Sequence, residues 1–503
     1  MKYIMFLGTS SNAGKTLTVA ALCNILSRRG YRVTPFKSQN MSLNSYTTID
    51  NEEMSIAQMM QAEAAGIEPN CHMNPILLKP KGDFTSQVIV QGKPAGDMDF
   101  NYYQVDFRDE ALKAVHESLN YLKNEYDIMV LEGAGSPAEI NMYDRDIANM
   151  LMAKITGADV ILVADIDQGG VFASILGTYF LIPEEDRKHI KAVIINKFRG
   201  NADVLKPGID RIEELTGIPV IGILPFDETL NLPEEDSASL TTHQFSKNQK
   251  ITIGTLRLPK IANFTDIDPL DYEEDIGIEL VDIYSDFEGL DALILPGTRN
   301  TVDDIEEIKK SGAFEKIKEI SKKIPVIGIC GGYQMLSKTI YDPDCRESSH
   351  GTVEALGLLD METKFGQIEK VVKQSEGTII SDSEIGFKKG TKVTGYELHE
   401  AITILGDVDP LIKISKGHGN DPSCEYDGAI KGNVCGTYFH GIFHNFEFRR
   451  LFTDYLRVKK GLKPLGLSED SFKNLKRVNY DQLGDLFTDN VDMSFIDKLL
   501  EEQ

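Results

Sequence analysis

Short apolar runs rich in β-branched residues alternate with amphipathic stretches through the first half of the chain. Residues 3–7, 32–36, 128–131, 160–164, 192–195 and 220–223 read as strands that are apolar on both faces. Between them, 17–27 and 110–123 carry helical spacing. This alternation predicts a parallel α/β sheet. From Asp227 to Lys250 the chain is polar and aperiodic, with Pro233 beside Glu234, Glu235 and Asp236, which predicts a linker. Residues 251–256 open a second α/β series, in which 292–295, 326–329 and 434–439 are the clearest strands. The stretch from Leu451 to Gln503 is charged and mostly helical in pattern. The expected organisation is a first domain over 1–226, a linker over 227–250, a second domain over 251–450 and a helical tail over 451–503.

Composition narrows the class. Apolar residues make up 41% and charged residues 26% of 503, which is ordinary globular usage. Lys and Arg total 53 against 78 Asp and Glu, a formal charge of −25. Such a field repels nucleic acid and anionic membrane, so neither is an expected partner, and any anionic ligand must be held by a local pocket. No apolar run approaches the roughly 20 residues of a spanning helix. The six cysteines form no C-x-x-C pair, too sparse a set for a disulfide framework. A soluble, cytoplasmic protein is expected. Its oligomeric state is not legible.

The candidate chemistry begins where the first strand runs into Gly8-Thr9-Ser10-Ser11-Asn12-Ala13-Gly14-Lys15-Thr16, followed by a helix. Backbone N–H groups and a helix N-terminus can cradle phosphates there. Lys15 can reach the β- and γ-phosphates of ATP, and the Thr16 hydroxyl can ligate Mg²⁺. Five residues separate Gly8 from Gly14, one more than the commonest spacing. Phosphate chemistry also needs a carboxylate on the metal. Glu132 ends one predicted strand, and Asp165 and Asp167 follow another, at the edge where parallel sheets bind ligands. Asn196, after the 192–195 strand, could pair with a purine edge or merely form a turn.

A second constellation opens at the end of strand 326–329, in Gly328-Ile329-Cys330-Gly331-Gly332. A sharp small-residue turn between strand and helix exposes a nucleophile, and the Gly331 N–H would lie beside a developing oxyanion. Strand 434–439 ends in His440, the expected base of a Cys–His pair. His444 follows four residues on, so the two histidines could instead be a metal pair, although no third ligand completes a tetrahedral set nearby. His399, in Gly395-Tyr396-Glu397-Leu398-His399, is a further candidate that reads better as structural.

These residues carry a resemblance. The 8–16 loop resembles the long-spaced phosphate loop of dethiobiotin synthetase and the cobyrinate amidases. The blocks at 35–42, 73–80, 132–141, 167–173 and 196–200 are similar to the cobyric acid synthase family. The second half, with Leu295-Pro296-Gly297-Thr298-Arg299-Asn300-Thr301, the Cys330 turn, 395–399 and 438–441, is similar to that family's glutamine amidotransferase domain. The likeness spans nearly the whole chain to about Leu451. It implies a P-loop NTPase-like, dethiobiotin synthetase-like domain followed by a class I glutamine amidotransferase-like α/β domain.

The resemblance also implies a ligase of cobalamin biosynthesis. With ATP, Mg²⁺ and glutamine it would amidate the b, d, e and g carboxylates of adenosylcobyrinic acid a,c-diamide, a corrinoid, to give adenosylcobyric acid. Gly8, Gly14, Lys15 and Thr16 would bind ATP and Mg²⁺, with Glu132 and Asp50 as metal ligands; Asp50 is followed here by Asn51 where the family usually has Gly. Lys37 would sit near the transferring phosphate or the substrate carboxylate, and Asn196 would face the adenine. Cys330 would attack glutamine, His440 shuttle protons, and Gly297 and Gly331 donate to the oxyanion. The corrinoid would meet Lys79, Asp167 and Arg199. Triad amidotransferases often carry Glu two residues after the histidine; Ile442 stands there, so a dyad with a weakly oriented imidazole is implied. The sister amidase acting on the a and c carboxylates, and a ParA/MinD-like ATPase with an inactive glutaminase domain, are the competing readings.

Overall fold

The computed structural model describes residues 1–82, 84–227, 230, 250–468 and 471–503, so most of the linker expected over 227–250 lies outside the described residues. The chain forms two compact units. One comprises Met1–Ser42, Glu53–Glu235 and Leu475–Gln503, the other Leu43–Glu52 and Asp236–Asn474.

In the first unit, six strands make one parallel sheet. Their spatial order is Val220–Pro225, Ile190–Phe198, Asp159–Asp165, Lys2–Gly8, Ile128–Glu132 and Val33–Phe36. All six correspond to runs expected from the apolar pattern. Ile4 to Leu7 are fully buried because helices cover both faces of the sheet, which explains their unbroken hydrophobicity. Helices Lys15–Arg28 and Arg108–Glu125 answer to the expected 17–27 and 110–123. A four-stranded sheet of Gln39–Met41, Ile76–Gly82, Thr85–Val90 and Lys93–Asp99 was not visible in the pattern. Pro80, Pro94 and Gly96 interrupt its alternation, and such residues are tolerated in short or edge strands.

The second unit has its own six-stranded sheet, ordered Ile276–Asp282, Ile251–Arg257, Ala292–Leu295, Val326–Ile329, Val434–Thr437 and Ala429–Lys431. Every pairing is parallel except the last, an antiparallel edge. Two four-stranded sheets lie between Thr339 and Asp427. Helix Phe446–Lys459 is anchored by Arg449, Arg450 and Arg457, which converge on the buried carboxylate of Glu273. A buried acid with three guanidinium partners is satisfied, whereas an unpaired one would be strongly destabilising.

The C-terminal stretch is not one element. Its first helix belongs to the second unit. Residues from Leu475 onward, in helices Ser471–Asn490 and Met493–Glu501, complete the first unit. There Leu483, Phe487, Ile496 and Leu500 share a core with Ile4, Leu22 and Leu26. Asn24 donates to Asp481, and Lys476 pairs with Glu63. Likewise Leu43–Glu52, early in the chain, packs within the second unit. The Ser45 N–H donates to the Asn263 amide oxygen at 3.0 Å, and the Asn263 N–H to that of Asn44 at 2.8 Å.

Candidate functional site

The first unit gathers chemistry at the C-terminal edge of its sheet. Strand Lys2–Gly8 leads into the phosphate loop, and Gly14, with φ 96°, opens helix Lys15–Arg28 in a conformation that favours glycine. The Lys15 ammonium donates to the carbonyls of Ser10 and Gly135, both at 3.0 Å, which curls it back over the loop. Glu132, 1% exposed, ends the adjacent strand. Its Oε1 accepts from the Thr16 hydroxyl at 2.9 Å and from the Lys37 ammonium at 2.7 Å. Gln61 donates to its Oε2 at 2.6 Å. The sequence thus assembles here a carboxylate and a hydroxyl side by side, the hard oxygen donors that suit Mg²⁺. Gln61 drew no attention in the sequence, since a lone Gln on a helix carries no local signal.

Around this core the other expected residues take different positions. The Asn196 amide donates to the Ala13 carbonyl at 2.9 Å and braces the phosphate loop. Lys197 does the same through Asn12, and pairs with Asp165 at 2.9 Å. Arg199 is half-exposed; it pairs with Asp167 at 3.2 Å and its guanidinium lies 3.7 Å above the Phe226 ring. Lys79 is buried and donates to Glu53 at 2.7 Å, so its ammonium serves the interior of the unit. Asp50 is exposed in the turn that follows Thr48, in the segment belonging to the second unit. Gly8 lies beside Lys15, whose ammonium would sit 2.6 Å from a Cβ added there.

The second unit builds the sharp turn that the glycines predict. Cys330 has φ 50° and ψ −107°, a backbone that L-residues rarely adopt, between strand Val326–Ile329 and helix Gly331–Met335. The flanking glycines are required by close approach. A Cβ on Gly332 would lie 1.9 Å from the Leu295 carbonyl oxygen, and one on Gly331 would lie 2.6 Å from the Thr298 methyl. The Leu295–Thr301 stretch, with Gly297, therefore backs directly onto the cysteine turn. The thiol is 6% exposed and donates to the Leu398 carbonyl at 3.4 Å.

His440 follows strand Val434–Thr437 and exchanges backbone hydrogen bonds with Tyr396 at 2.9 and 3.1 Å. Its ring stacks on Tyr396, with centroids 5.2 Å apart, and a Cβ on Gly297 would lie 3.0 Å from its Cε1. The imidazole is not weakly oriented, contrary to the dyad implied by Ile442. Its Nδ1 lies 2.7 Å from Asp266 Oδ2, and the Gly441 N–H donates to Asp266 Oδ1 at 2.6 Å. Burial alone would depress the basicity of this ring. The Asp266 carboxylate and the hydrogen-bonding Cys330 side chain outweigh it and raise the His440 pKa to about 10. Asp266 was invisible in the sequence because it lies 174 positions away with no motif around it.

His444 is exposed against the Phe472 ring, and among the described residues it joins no ligand cluster with His440. Among the described residues, Glu397, His399 and His418 form the one group of His and acid side chains whose ligand atoms lie within 4.8 Å of one another. Their hydrogen bonds explain the cluster as structural. His399 Nδ1 faces the Ala401 carbonyl at 2.8 Å, and its Nε2 faces Glu397 at 3.2 Å. The Gly419 and His418 N–H groups and the Ser375 hydroxyl fill the remaining acceptor positions of that carboxylate. His399 is thus the structural histidine that its context suggested.

Comparison with known proteins extends these observations. A model of the CobQ/CobB/MinD/ParA nucleotide binding domain matches residues 4–240, and one of the CobB/CobQ-like glutamine amidotransferase domain matches residues 252–448. Both agree with the fold class expected from the sequence. The chain is 80% identical over 502 residues to a probable cobyric acid synthase of Methanosphaera stadtmanae, covering 100% of each chain. It is 58% identical over 500 residues to one of Methanothermobacter thermautotrophicus, covering 99% of each, and 50% identical over 488 residues to one of Methanocaldococcus jannaschii, covering 95% and 96%.

Proposed function

The chain belongs to the cobyric acid synthase family, and from that premise we propose that it converts side-chain carboxylates of a corrinoid into amides with ATP and glutamine. It is an amide-forming ligase with a nucleotide-binding domain and a glutamine amidotransferase domain. The finer reading is that adenosylcobyrinic acid a,c-diamide is amidated at its b, d, e and g positions to adenosylcobyric acid. The observation that carries the proposal is the pairing, in one polypeptide, of a phosphate loop with its buried carboxylate and a strained cysteine turn with its histidine.

A carboxylate resists attack because its charge repels nucleophiles. Transfer of the ATP γ-phosphoryl to it gives an acyl phosphate, whose leaving group is phosphate. Lys15 and Lys37 would stabilise charge on the transferring group. Thr16 and Glu132 would hold Mg²⁺, which when bound neutralises phosphate charge; the adjacency of their oxygens supports this. Asn196 and Lys197 would keep the loop in register.

In the second unit the Cys330 thiolate would add to the glutamine carboxamide carbon. The oxyanion would receive N–H groups of Gly297 and Gly331, the latter being among the helix-terminal donors that no helical carbonyl can accept. His440 would pass a proton to the departing nitrogen; the C–N bond breaks, ammonia leaves, and water hydrolyses the thioester to glutamate. Ammonia then attacks the acyl phosphate carbon, the C–O bond breaks and inorganic phosphate departs. Free ammonia is scarce at neutral pH, where it is mostly ammonium, so a built-in source serves the chemistry.

Mass spectrometry of adenosylcobyrinic acid a,c-diamide incubated with the protein, ATP, Mg²⁺ and glutamine tests the reading. Four successive replacements of OH by NH₂ are expected. Amidation of cobyrinic acid at a and c instead would reject the substrate assignment. A Cys330→Ser variant that consumed glutamine as fast as the parent would reject the mechanism. Arg199→Ala should weaken corrinoid binding more than ATP binding, since its guanidinium is half-exposed and pairs with Asp167.

A further inference from the structure

The His440 ring has three kinds of neighbour. Tyr396 covers a face, the Cys330 side chain adds to the rise in its basicity, and Asp266 meets its Nδ1 edge at 2.7 Å. Asp266 lies in the short turn Phe264–Ile267, is 2% exposed, and is itself held by the Gly441 N–H. A carboxylate can only accept, so Nδ1 carries a proton and Nε2 is left as the nitrogen that can exchange a proton with a thiol. The position where triad enzymes carry Glu is filled by Ile442, which is fully buried and apolar. The Gly441 bond also fixes the carboxylate relative to the residue next to the histidine, so ring and acid move together.

We propose that Asp266 is the positioning residue of this site: it holds the His440 imidazole in the tautomer that serves Cys330 and stabilises the imidazolium formed when the thiol loses its proton. The proposal rests on the reading of Cys330 and His440 as a glutaminase pair. The groups facing His440 that carry or gain charge are Asp266, Cys330 and Tyr396, and burial and the nearby Asp266 charge keep the Tyr396 phenol neutral far above neutral pH. Among them Asp266 is the carboxylate in contact with the ring, at 2.7 Å from Nδ1. An Asn in its place would offer an amide N–H to Nδ1 and force the proton onto Nε2, the wrong edge for a base.

The test uses the full chain. In Asp266→Asn, kcat for glutamine hydrolysis is expected to fall on the order of 10²- to 10⁴-fold with KM within about threefold, the split that marks an interaction made during proton transfer. The rate of Cys330 alkylation by iodoacetamide is expected to drop at neutral pH, its profile moving up by about one pH unit or more as the imidazolium loses its partner. Asp266→Glu keeps the carboxylate and should keep the parent's alkylation profile even where its turnover falls. Parent-like turnover and an unshifted profile in Asp266→Asn would overturn the proposal. So would ¹⁵N-histidine NMR of the parent showing the His440 proton on Nε2 alone, a measurement that needs no variant to fold. A parent that consumed no glutamine would reject the glutaminase reading, yet the alkylation profiles would still decide the place of Asp266.

Discussion

Single residues here are constrained by contact as much as by chemistry. Gly332 is the sharpest case: any Cβ would collide with the Leu295 carbonyl at 1.9 Å. Gly332→Ala should therefore displace the cysteine turn and lower glutamine hydrolysis by about 10²-fold or more, comparable to removal of an oxyanion donor. Amidation driven by added ammonium salt should persist. Loss of both would mean that the whole chain had unfolded. Glu397 is the electrostatic counterpart. Burial opposes its ionisation, but His399, then Ser375 and the His418 N–H, hold its carboxyl well below the usual range. A depressed acid contributes stability above its unfolded value, near 4.5, that is lost as pH falls toward the folded value. Glu397→Gln should cost about 3–5 kcal/mol at pH 7, and the gap from the parent should narrow below about pH 4.5. Denaturant melts at several pH values measure this, and a gap independent of pH refutes it. The phosphate loop and the cysteine turn were legible because each is continuous in sequence, a strand, a glycine turn and a helix. Asp266 and the Glu53 partner of Lys79 were not, because only tertiary folding creates those pairs.

At the scale of elements, runs apolar on both faces gave away the two parallel sheets. The smaller sheets escaped: Lys93–Asp99 is mostly exposed and holds Pro94 and Gly96, so it carries neither period nor hydrophobicity. The C-terminal helices were visible as helices, but their destination was not. An amphipathic face shows that something is covered without naming what. Here Phe487 of helix Ser471–Asn490 is 1% exposed among Val19, Leu22 and other residues of the first unit. Phe487→Ala should destabilise that unit by about 3–5 kcal/mol, the range for a large aromatic lost from a core. Unfolding followed by ATP protection should show the loss, while the thermal stability of the Cys330 site, followed by alkylation, stays as in the parent. Equal loss at both would mean that the helix supports the second unit as well.

The whole chain is wired less simply than its linear order suggests. Residues 43–52 lie between two stretches of the first unit, yet they pack in the second, and 475–503 make the reverse excursion. Neither unit is therefore a continuous piece of sequence that can be cut out intact. Asn263 shows what the early segment contributes. In a left-handed turn with φ 52°, it donates through its amide to the Ser45 carbonyl at 2.9 Å and accepts from the Ser45 N–H. Its own N–H is taken by Asn44, and its amide also reaches the Tyr396 hydroxyl at 3.3 Å. Asn263 sits three residues before Asp266, whose N–H donates to the Asn263 carbonyl at 3.2 Å. Tyr396 in turn stacks on His440. A segment encoded among the phosphate-site residues thus stands two contacts from the imidazole. Asn263→Ala would remove the two hydrogen bonds between its amide and the Ser45 backbone, at about 0.5–1.5 kcal/mol each, and would place alanine in a left-handed backbone that it resists. Glutamine hydrolysis should fall about tenfold or more through a loosened Asp266–His440 pair, a coupling of the kind seen when outer hydrogen-bonding partners are removed. Asn263→Gly, which tolerates the backbone but also lacks the amide, should recover stability without recovering turnover. If Gly restored both, the segment would be a backbone support alone, and its hydrogen bonds would play no part in orienting the histidine.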